Sequence, residues 1–453
     1  MPEPSPLPPD RLEQRFEDYK PLYTEGEAIA EANRCLYCVD APCIQGCPTA
    51  IDIPAFIRKI ATGNRKGAAR SILSANVLGY SCARVCPVEV LCAGACVYNA
   101  WGRPPIQIGR LQRFATESIL RDHVPLFSPK PPTGRKVALV GAGPASLAAA
   151  ALLALEGHAS TIFERKSVPG GLNSLGIAPY KFQVDDALFE VEWVRSLGVE
   201  IRTGTAVGSD PGSLSPARLL AAFDAVFLGL GLGADSSLGI PGEEGPGVLG
   251  AVDLIERIKS DAAFRLNGVA QALVVGGGNT AIDAAHELRL LGIPFVAMVY
   301  RRSESEMKGY GHEMDHARRD GVVLLENRVP LAILRAPDGR VRSLRVAVAK
   351  DGSPVPGSDE RIPADLIAVA IGQSRATDMA RAFPGVELDP KGRIVVDPAT
   401  HRTGNPKVWS GGDCVNGGKE VVNAVAESKT AVRDMLRALD ALPRASTGPS
   451  NPA

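Results

Sequence analysis

Eight of the chain's nine cysteines lie between Cys35 and Cys96, and their spacing is the first sign of chemistry. The first group reads Cys35-x2-Cys38-x4-Cys43-x3-Cys47-Pro48, and the second reads Cys82-x3-Cys86-Pro87-x4-Cys92-x3-Cys96. Thiolates this close in sequence can converge on one iron–sulfur cube, and a cysteine followed by proline is a ferredoxin-like ending whose cysteine often serves the neighbouring cluster. Two 4Fe-4S clusters are the count that these groups predict. Structural zinc favours pairs of Cys-x2-Cys across a long spacer, whereas one Cys-x2-Cys and two Cys-Pro signatures stand here. Spacing leaves open which cysteine serves which cluster. Outside this segment stands only Cys414, so the close cysteine pair through which flavin disulfide reductases pass electrons is missing. Electrons are expected to leave by the clusters or directly to a soluble acceptor.

Two glycine-rich turns carry the second kind of chemistry. The first is Val137-Ala-Leu-Val-Gly141-Ala-Gly143-Pro-Ala145-Ser146. Gly141 permits a tight turn, Gly143 lets the backbone approach a pyrophosphate, and the small Ala145 and Ser146 allow a helix to pack closely on its strand. The next strand ends in Glu164, at the distance at which a carboxylate holds ribose hydroxyls. That acid suits the unphosphorylated ribose of FAD or NAD. Pro169-Gly170-Gly171-Leu172 follows and offers a second close backbone approach.

The second turn, Leu273-Val-Val-Gly276-Gly-Gly278-Asn279-Thr280, ends differently. Its next strand, Phe295 to Tyr300, runs into Arg301 and Arg302, with Lys308 beyond. Guanidinium forks pair bidentately with phosphate, so these arginines favour the 2′-phosphate of NADPH over NADH. The competing reading is solvated surface charge. Near the C-terminus, Val408-Trp-Ser-Gly-Gly412-Asp413 is a short strand running into glycines and a carboxylate, which suits a flavin's ribityl hydroxyl. A helix-like run from Glu420 follows, whose N-terminus would support a reduced, anionic ring. His312-Glu313-Met-Asp-His316 matches the zinc-protease pattern, but it sits just after the arginines with no obvious third ligand, so it is expected to be an exposed helix of the nicotinamide domain.

The elements that must position these groups follow from texture. A chain of 453 residues, 45% hydrophobic and 22% charged, is long enough for two to four domains with buried cores. Helix-like stretches, Ile53 to Ile60 and Lys66 to Leu73, run through the cysteine segment, and from Arg135 onward apolar β-branched runs alternate with Ala/Leu-rich runs. That alternation predicts an α/β fold: an N-terminal helical iron–sulfur domain and two nested Rossmann-like dinucleotide domains, their turns about 135 residues apart. The expected segments are 1–130 for the iron–sulfur domain, 131–250 and 375–443 for FAD, 251–374 for an inserted NAD(P)H domain, and 444–453 for a disordered tail. Fifty basic and fifty acidic residues cancel, which gives no footprint for nucleic acid or an anionic membrane. No apolar run reaches the roughly 18 residues of a membrane span and no secretory core opens the chain, so a cytosolic protein with reduced thiols is expected.

Together these residues resemble the flavoprotein family of glutamate synthase small subunits and the N-terminal half of dihydropyrimidine dehydrogenase. The likeness is strongest to the flavoprotein subunit of two-subunit bacterial dihydropyrimidine dehydrogenases. It rests on Arg34-Cys-Leu-Tyr-Cys38, Asp40-Ala-Pro-Cys43, Asn76-Val-Leu-Gly79, Val85-Cys-Pro87 and Ile108-Gly-Arg-Leu-Gln-Arg-Phe-Ala-Thr116. The resemblance implies that Cys35, Cys38, Cys43 and Cys96 hold one cluster. It implies that Cys47, Cys86 and Cys92 hold the other with Gln112 as an unusual fourth ligand, leaving Cys82 spare. It further implies that Lys181 lies at the FAD, that Asn279 and Thr280 approach the nicotinamide cofactor, and that Gly372 lines its cleft. Glutamate synthase small subunits are less similar around Gln112, where they carry an acid, which favours the pyrimidine branch. Bacterial relatives in that branch use NADH, against the reading of Arg301 and Arg302.

The resemblance implies a function too: hydride from NAD(P)H to FAD, then single electrons through two clusters to a partner catalytic subunit in a hetero-oligomer. That partner is expected to carry FMN and to reduce uracil or thymine, since no FMN barrel has a counterpart here. The alternative is a glutamate synthase small subunit feeding an amidotransferase.

Overall fold

Lys136–Val140 is the central strand of a five-stranded parallel sheet, apart from its first residue wholly buried, as an apolar run covered by helices must be. Ala159–Phe163 and Glu200–Arg202 extend the sheet on one side, Ala225–Leu228 and Val408–Ser410 on the other. The last strand comes from the far end of the chain and pairs Val408 with Val226 and Ser410 with Leu228. A second five-stranded parallel sheet holds Gln271–Val275 at its centre. Phe295–Val299 and Val322–Leu325 lie on one side of it, Leu366–Val369 and Val248–Gly250 on the other. A three-stranded antiparallel sheet, Arg328–Arg335, Val341–Lys350 and Ser353–Pro363, is the third sheet among the described residues. The architecture is the nested α/β arrangement that the glycine turns predict.

The computed structural model describes residues 7–350 and 352–442, and these fall into two units. The first holds Lys20–Ser174, Asp185–Leu232 and the described residues from Arg375 onward. The second holds the described residues before Lys20, Leu175–Val184 and Gly233–Ser374. Two features differ from the expected segments. The iron–sulfur helices share a unit with the first dinucleotide sheet, and the described residues before Lys20 pack in the second unit. There Leu12 and Phe16 enter the second sheet's core, and Glu13 is fully buried, accepting from the Val184 N–H at 2.8 Å. The expected tail, 444–453, lies outside the described residues.

The iron–sulfur segment is helical for local reasons. Asp52 caps Ile53–Ala61 by accepting from Ala55 N–H at 3.1 Å, and Ile53, Phe56, Ile57 and Ile60 form its buried stripe. Asn64 caps Arg65–Ala75 in the same way at Gly67 N–H. Ile108–Arg121 runs through the middle of this cluster of helices and is buried on nearly every side, its Arg113 paired to Glu117 at 2.6 Å. Gly79–Val85, which carries Cys82, has no side-chain cap of its own, and its first N–H groups are met instead by Glu190 from the helix Val184–Ser196. Tyr80 N–H and Ser81 N–H donate to that carboxylate at 2.9 and 3.2 Å.

Glu190 supplies a pH test of this core. Burial pushes its pKa from 4.5 up to about 7, against the hydrogen bonds from Ser81 and Tyr80, which lower it. A carboxyl whose folded pKa is raised favours the folded state when protonated. Its contribution is complete below 4.5 and is lost as the pH rises through about 7. Glu190→Gln removes the titration, so the variant should gain on the parent between about pH 5 and pH 8, by on the order of 3 kcal/mol. Thermal melts across that range test it: a parent–variant difference that stays constant with pH would contradict the assignment.

Candidate cofactor and cluster sites

The first glycine turn is tight because only glycine fits it. Gly141 has φ 87°, and a Cβ there would lie 2.6 Å from the Gly229 carbonyl oxygen. Gly143 precedes the helix Pro144–Leu155, whose N-terminus has no side-chain cap, so its N–H groups are available to an anion. Glu164 is buried at the end of the second strand and accepts from Ala142 N–H at 2.7 Å and Lys166 N–H at 2.8 Å. Each carboxylate oxygen keeps a lone pair for a ribose hydroxyl, so the acid that sequence assigns to ribose also braces the turn. Gly170 N–H donates to Ala142 O at 2.9 Å, and a Cβ on Gly171 would lie 2.9 Å from Gly143 Cα. The double glycine before Leu172 therefore lies directly on the phosphate turn.

Gly412 closes the same site from the C-terminal strand: its N–H donates to Glu427 at 2.7 Å, and a Cβ on it would touch Ala145 Cβ at 3.0 Å. Asp413 follows in a short helix, Asp413–Asn416, before the long helix Val421–Ala441. Burial raises its pKa, while the Lys419 N–H and the Arg375 guanidinium oppose the rise.

In the second unit Gly276 has φ 154°, and a Cβ would meet the Ala370 carbonyl oxygen at 2.4 Å. Gly278 precedes the helix Asn279–Leu290, again without a side-chain cap. Asn279 Oδ1 accepts from Tyr310 N–H at 2.9 Å, which fixes the loop past the arginines to the helix start, with Thr280 half-buried beside it. Lys308 N–H and Gly309 N–H donate to Gly277 O, each at 3.1 Å. Arg301 and Lys308 are exposed, and Arg302 is half-buried with its Nε 3.9 Å from Glu306. Gly372 has φ 124°, and its carbonyl accepts from Ser236 N–H.

Lys181 sits among carboxylates of this same unit, its Nζ 2.6 Å from Asp283 and 2.7 Å from Glu313. Burial alone would lower its pKa, but those two carboxylates outweigh it and raise it. Tyr180 also donates to Asp283, at 2.9 Å. Glu313 is the glutamate of the protease-like motif, and in the helix Gly311–Arg319 it serves as a partner of Lys181. His312 stacks on Tyr310 and His316 packs edge-on against Tyr19.

The cysteines sort into two groups. Cys35, Cys38, Cys43 and Cys96 line one cavity with Ile53, Ile57 and other apolar residues. Burial, reinforced by the Cys35 and Cys96 thiols, pushes Cys43 up to about 12. In the other group, burial and then Cys47 push Cys92 up to about 12. Cys86 is raised first by a hydrogen bond with Cys82, then by burial and by Cys82, Cys92 and Cys47. Cys82, left over by the resemblance, therefore lies against Cys86, and its Sγ also accepts from Asn76 Nδ2 at 3.1 Å. Gln112 is buried, with Nε2 donating to Gly79 O at 2.6 Å, which leaves Oε1 as its remaining donor atom toward a metal. Among the described residues no three His, Cys, Asp or Glu side chains converge as a single metal ion would need.

Residues 12–124 match the family model described as dihydropyrimidine dehydrogenase domain II, 4Fe-4S cluster, and residues 135–428 match the pyridine nucleotide-disulphide oxidoreductase model. The chain belongs to the pyridine nucleotide-disulphide oxidoreductase family. Among its relatives is the NAD-dependent dihydropyrimidine dehydrogenase subunit PreT of Escherichia coli, 36% identical over 92% of this chain and 95% of that protein. The glutamate synthase [NADPH] small chain of Halomonas elongata is 34% identical over 95% of this chain and 94% of its own length. Among solved structures, T. acidophilum thioredoxin reductase aligns with a TM-score of 0.54 at 19% identity, covering 68% of this chain and all of that one. Mycobacterium tuberculosis FprA in complex with NADPH aligns with the same score at 20% identity, covering 69% and 86%. These two share the fold.

As a family member with this N-terminal domain, the chain is an NAD(P)H-dependent FAD and iron–sulfur oxidoreductase. Its residues fit those groups. Both helix N-termini at the glycine turns lack side-chain caps, and within the first unit Ser146 Oγ and Asn173 Oδ1 are buried without a hydrogen-bond partner. Gly141→Ala should cost roughly 3 kcal/mol or more, from left-handed strain plus the clash with Gly229. FAD content of the purified variant measures it, and a full complement of flavin would contradict the turn's role. Sequence reasoning missed Asn173, Glu427 and Arg375, whose Nη1 is buried without a partner. Among the described residues no helix is long and apolar enough to cross a membrane.

Proposed function

We propose that the chain is the electron-input subunit of a two-subunit enzyme that reduces uracil or thymine to the dihydropyrimidine. Bound FAD would accept a hydride from NAD(P)H as an electron pair, and the two 4Fe-4S clusters would carry single electrons onward. The chain's residues hold and orient. Glu164 takes a ribose, the uncapped helices at Gly143 and Gly278 take pyrophosphates, and Arg301 and Arg302 take a 2′-phosphate. Cys35, Cys38, Cys43 and Cys96 hold one cluster; Cys47, Cys86 and Cys92 with Gln112 hold the other.

The observation that carries the pyrimidine reading is Gln112. It is neutral, buried and braced by Gly79, and it stands where the family resemblance implies a glutamine ligand in the pyrimidine branch and an acid in glutamate synthase small subunits. One observation favours the second reading, a glutamate synthase small subunit: the paired arginines suit NADPH, and the Halomonas relative bears NADPH in its name. The partner decides between them. The subunit that co-purifies with the chain should support NAD(P)H oxidation dependent on uracil or thymine. Oxidation that depends instead on glutamine and 2-oxoglutarate would replace the first reading by the second.

A further inference from the structure

The double glycine that lies on the phosphate turn leads, two residues later, to Asn173 in the short helix Leu172–Leu175. Asn173 is 3% exposed, and its Nδ2 donates to Ser81 Oγ at 2.8 Å. The Ser81 hydroxyl in turn donates to Glu190, whose carboxylate also receives the Tyr80 and Ser81 N–H groups. With Glu190 ionised, above about pH 7, its carboxylate can only accept, so Ser81 gives it its one proton and toward Asn173 can only accept. That requirement fixes the amide: Nδ2 must face Ser81, and Oδ1 must face the other way. Oδ1 is buried and has no partner. A buried acceptor without a donor is unfavourable enough that native proteins nearly always supply one.

The chain around Oδ1 offers none, while the isoalloxazine ring of a flavin carries an N–H donor on its edge, N3–H, joined by N5–H on reduction. We propose that Asn173 is a flavin-contacting residue, its Oδ1 accepting a hydrogen bond from a ring N–H while its Nδ2 anchors the contact through Ser81 and Glu190. The anchor ends at the N-terminus of Gly79–Val85, the helix that leads into Cys86, so one buried chain of hydrogen bonds runs from the flavin loop to the cluster segment. This rests on the assignment of FAD to the first glycine turn, and the flavin content of the parent protein tests that assignment separately.

The experiment uses the holoprotein with Asn173→Leu, nearly the same volume without polar atoms. The dissociation constant for FAD, followed by the fluorescence of released flavin, should rise about tenfold. The flavin absorption bands should shift, while iron and acid-labile sulfide stay at parental levels. Ser81→Ala, which frees the amide to turn, should weaken FAD by a smaller factor, and the double variant should be no weaker than Asn173→Leu alone. FAD bound within twofold of the parent and with an unchanged spectrum would overturn the proposal and give Oδ1 to a water. If the leucine variant loses its clusters or fails to fold, Asn173→Ser decides by the same two readouts. Its shorter side chain cannot span Ser81 and the ring, so parental affinity there overturns the proposal equally.

Discussion

Serine in place of Cys43 is expected to leave the purified protein with about half its iron and acid-labile sulfide, and with electron delivery to a partner lowered at least about a hundredfold. The reasoning begins with burial. Cys43 lines the cavity shared with Cys35, Cys38 and Cys96, and as a free thiol it is pushed up to about 12. A buried thiolate is stable there only when iron takes the charge that burial and neighbouring sulfurs make unfavourable. A serine hydroxyl is a harder and far less acidic ligand, so the cluster on that cavity should be lost. The second set, Cys47, Cys86 and Cys92, should keep its own. Electron paramagnetic resonance of the reduced variant should show one spin system instead of two. A full iron complement with both signals intact would break the division into two ligand sets. Cys82→Ala is the companion measurement: if Gln112 completes the second set, removing the sulfur beside Cys86 leaves iron unchanged.

That division shows where sequence reading stops. Spacing announces clustered thiolates and predicts two clusters, but Cys96 is more than fifty residues from Cys43, and nothing in the spacing says which group it joins. The packing of Ile53–Ala61 against its neighbouring helices makes that decision. The glycine turns are legible because their requirements are local: a positive φ, no Cβ, then an uncapped helix. Glu164 is legible as an acid after a strand, while its brace on Ala142 is visible only once the strand is placed. Asn173, Ser81 and Glu190 carry no signal at all, since the contacts join residues 92 and 109 positions apart. The residues before Lys20 mislead for a related reason. Texture groups them with the iron–sulfur segment 1–130, whereas the described ones place a 3-10 turn in the other unit, with Leu12 and Phe16 in its core.

The choice of nicotinamide cofactor should be decided at Arg301 and Arg302. Alanine at both positions is expected to raise KM for NADPH about a hundredfold, since charge-assisted bonds to phosphate contribute about 1.5–3 kcal/mol each. KM for NADH, which has no phosphate at that place, should change less than about twofold. The structure leaves both groups available for the role. Arg301 is exposed at the end of Phe295–Val299, and the Arg302–Glu306 pair, 3.9 Å apart and partly solvated, is worth too little to hold Arg302 away from a dianion. Lys308 lies just beyond, and its backbone N–H on Gly277 keeps the loop next to the turn. The relatives divide on the point, one named for NAD and the other for NADPH. Steady-state kinetics with both cofactors, on parent and double variant, read the preference directly. If the ratio of kcat/KM for NADPH to that for NADH is the same in both proteins, the arginines are surface charge, and selectivity must come from residues nearer the glycine turn.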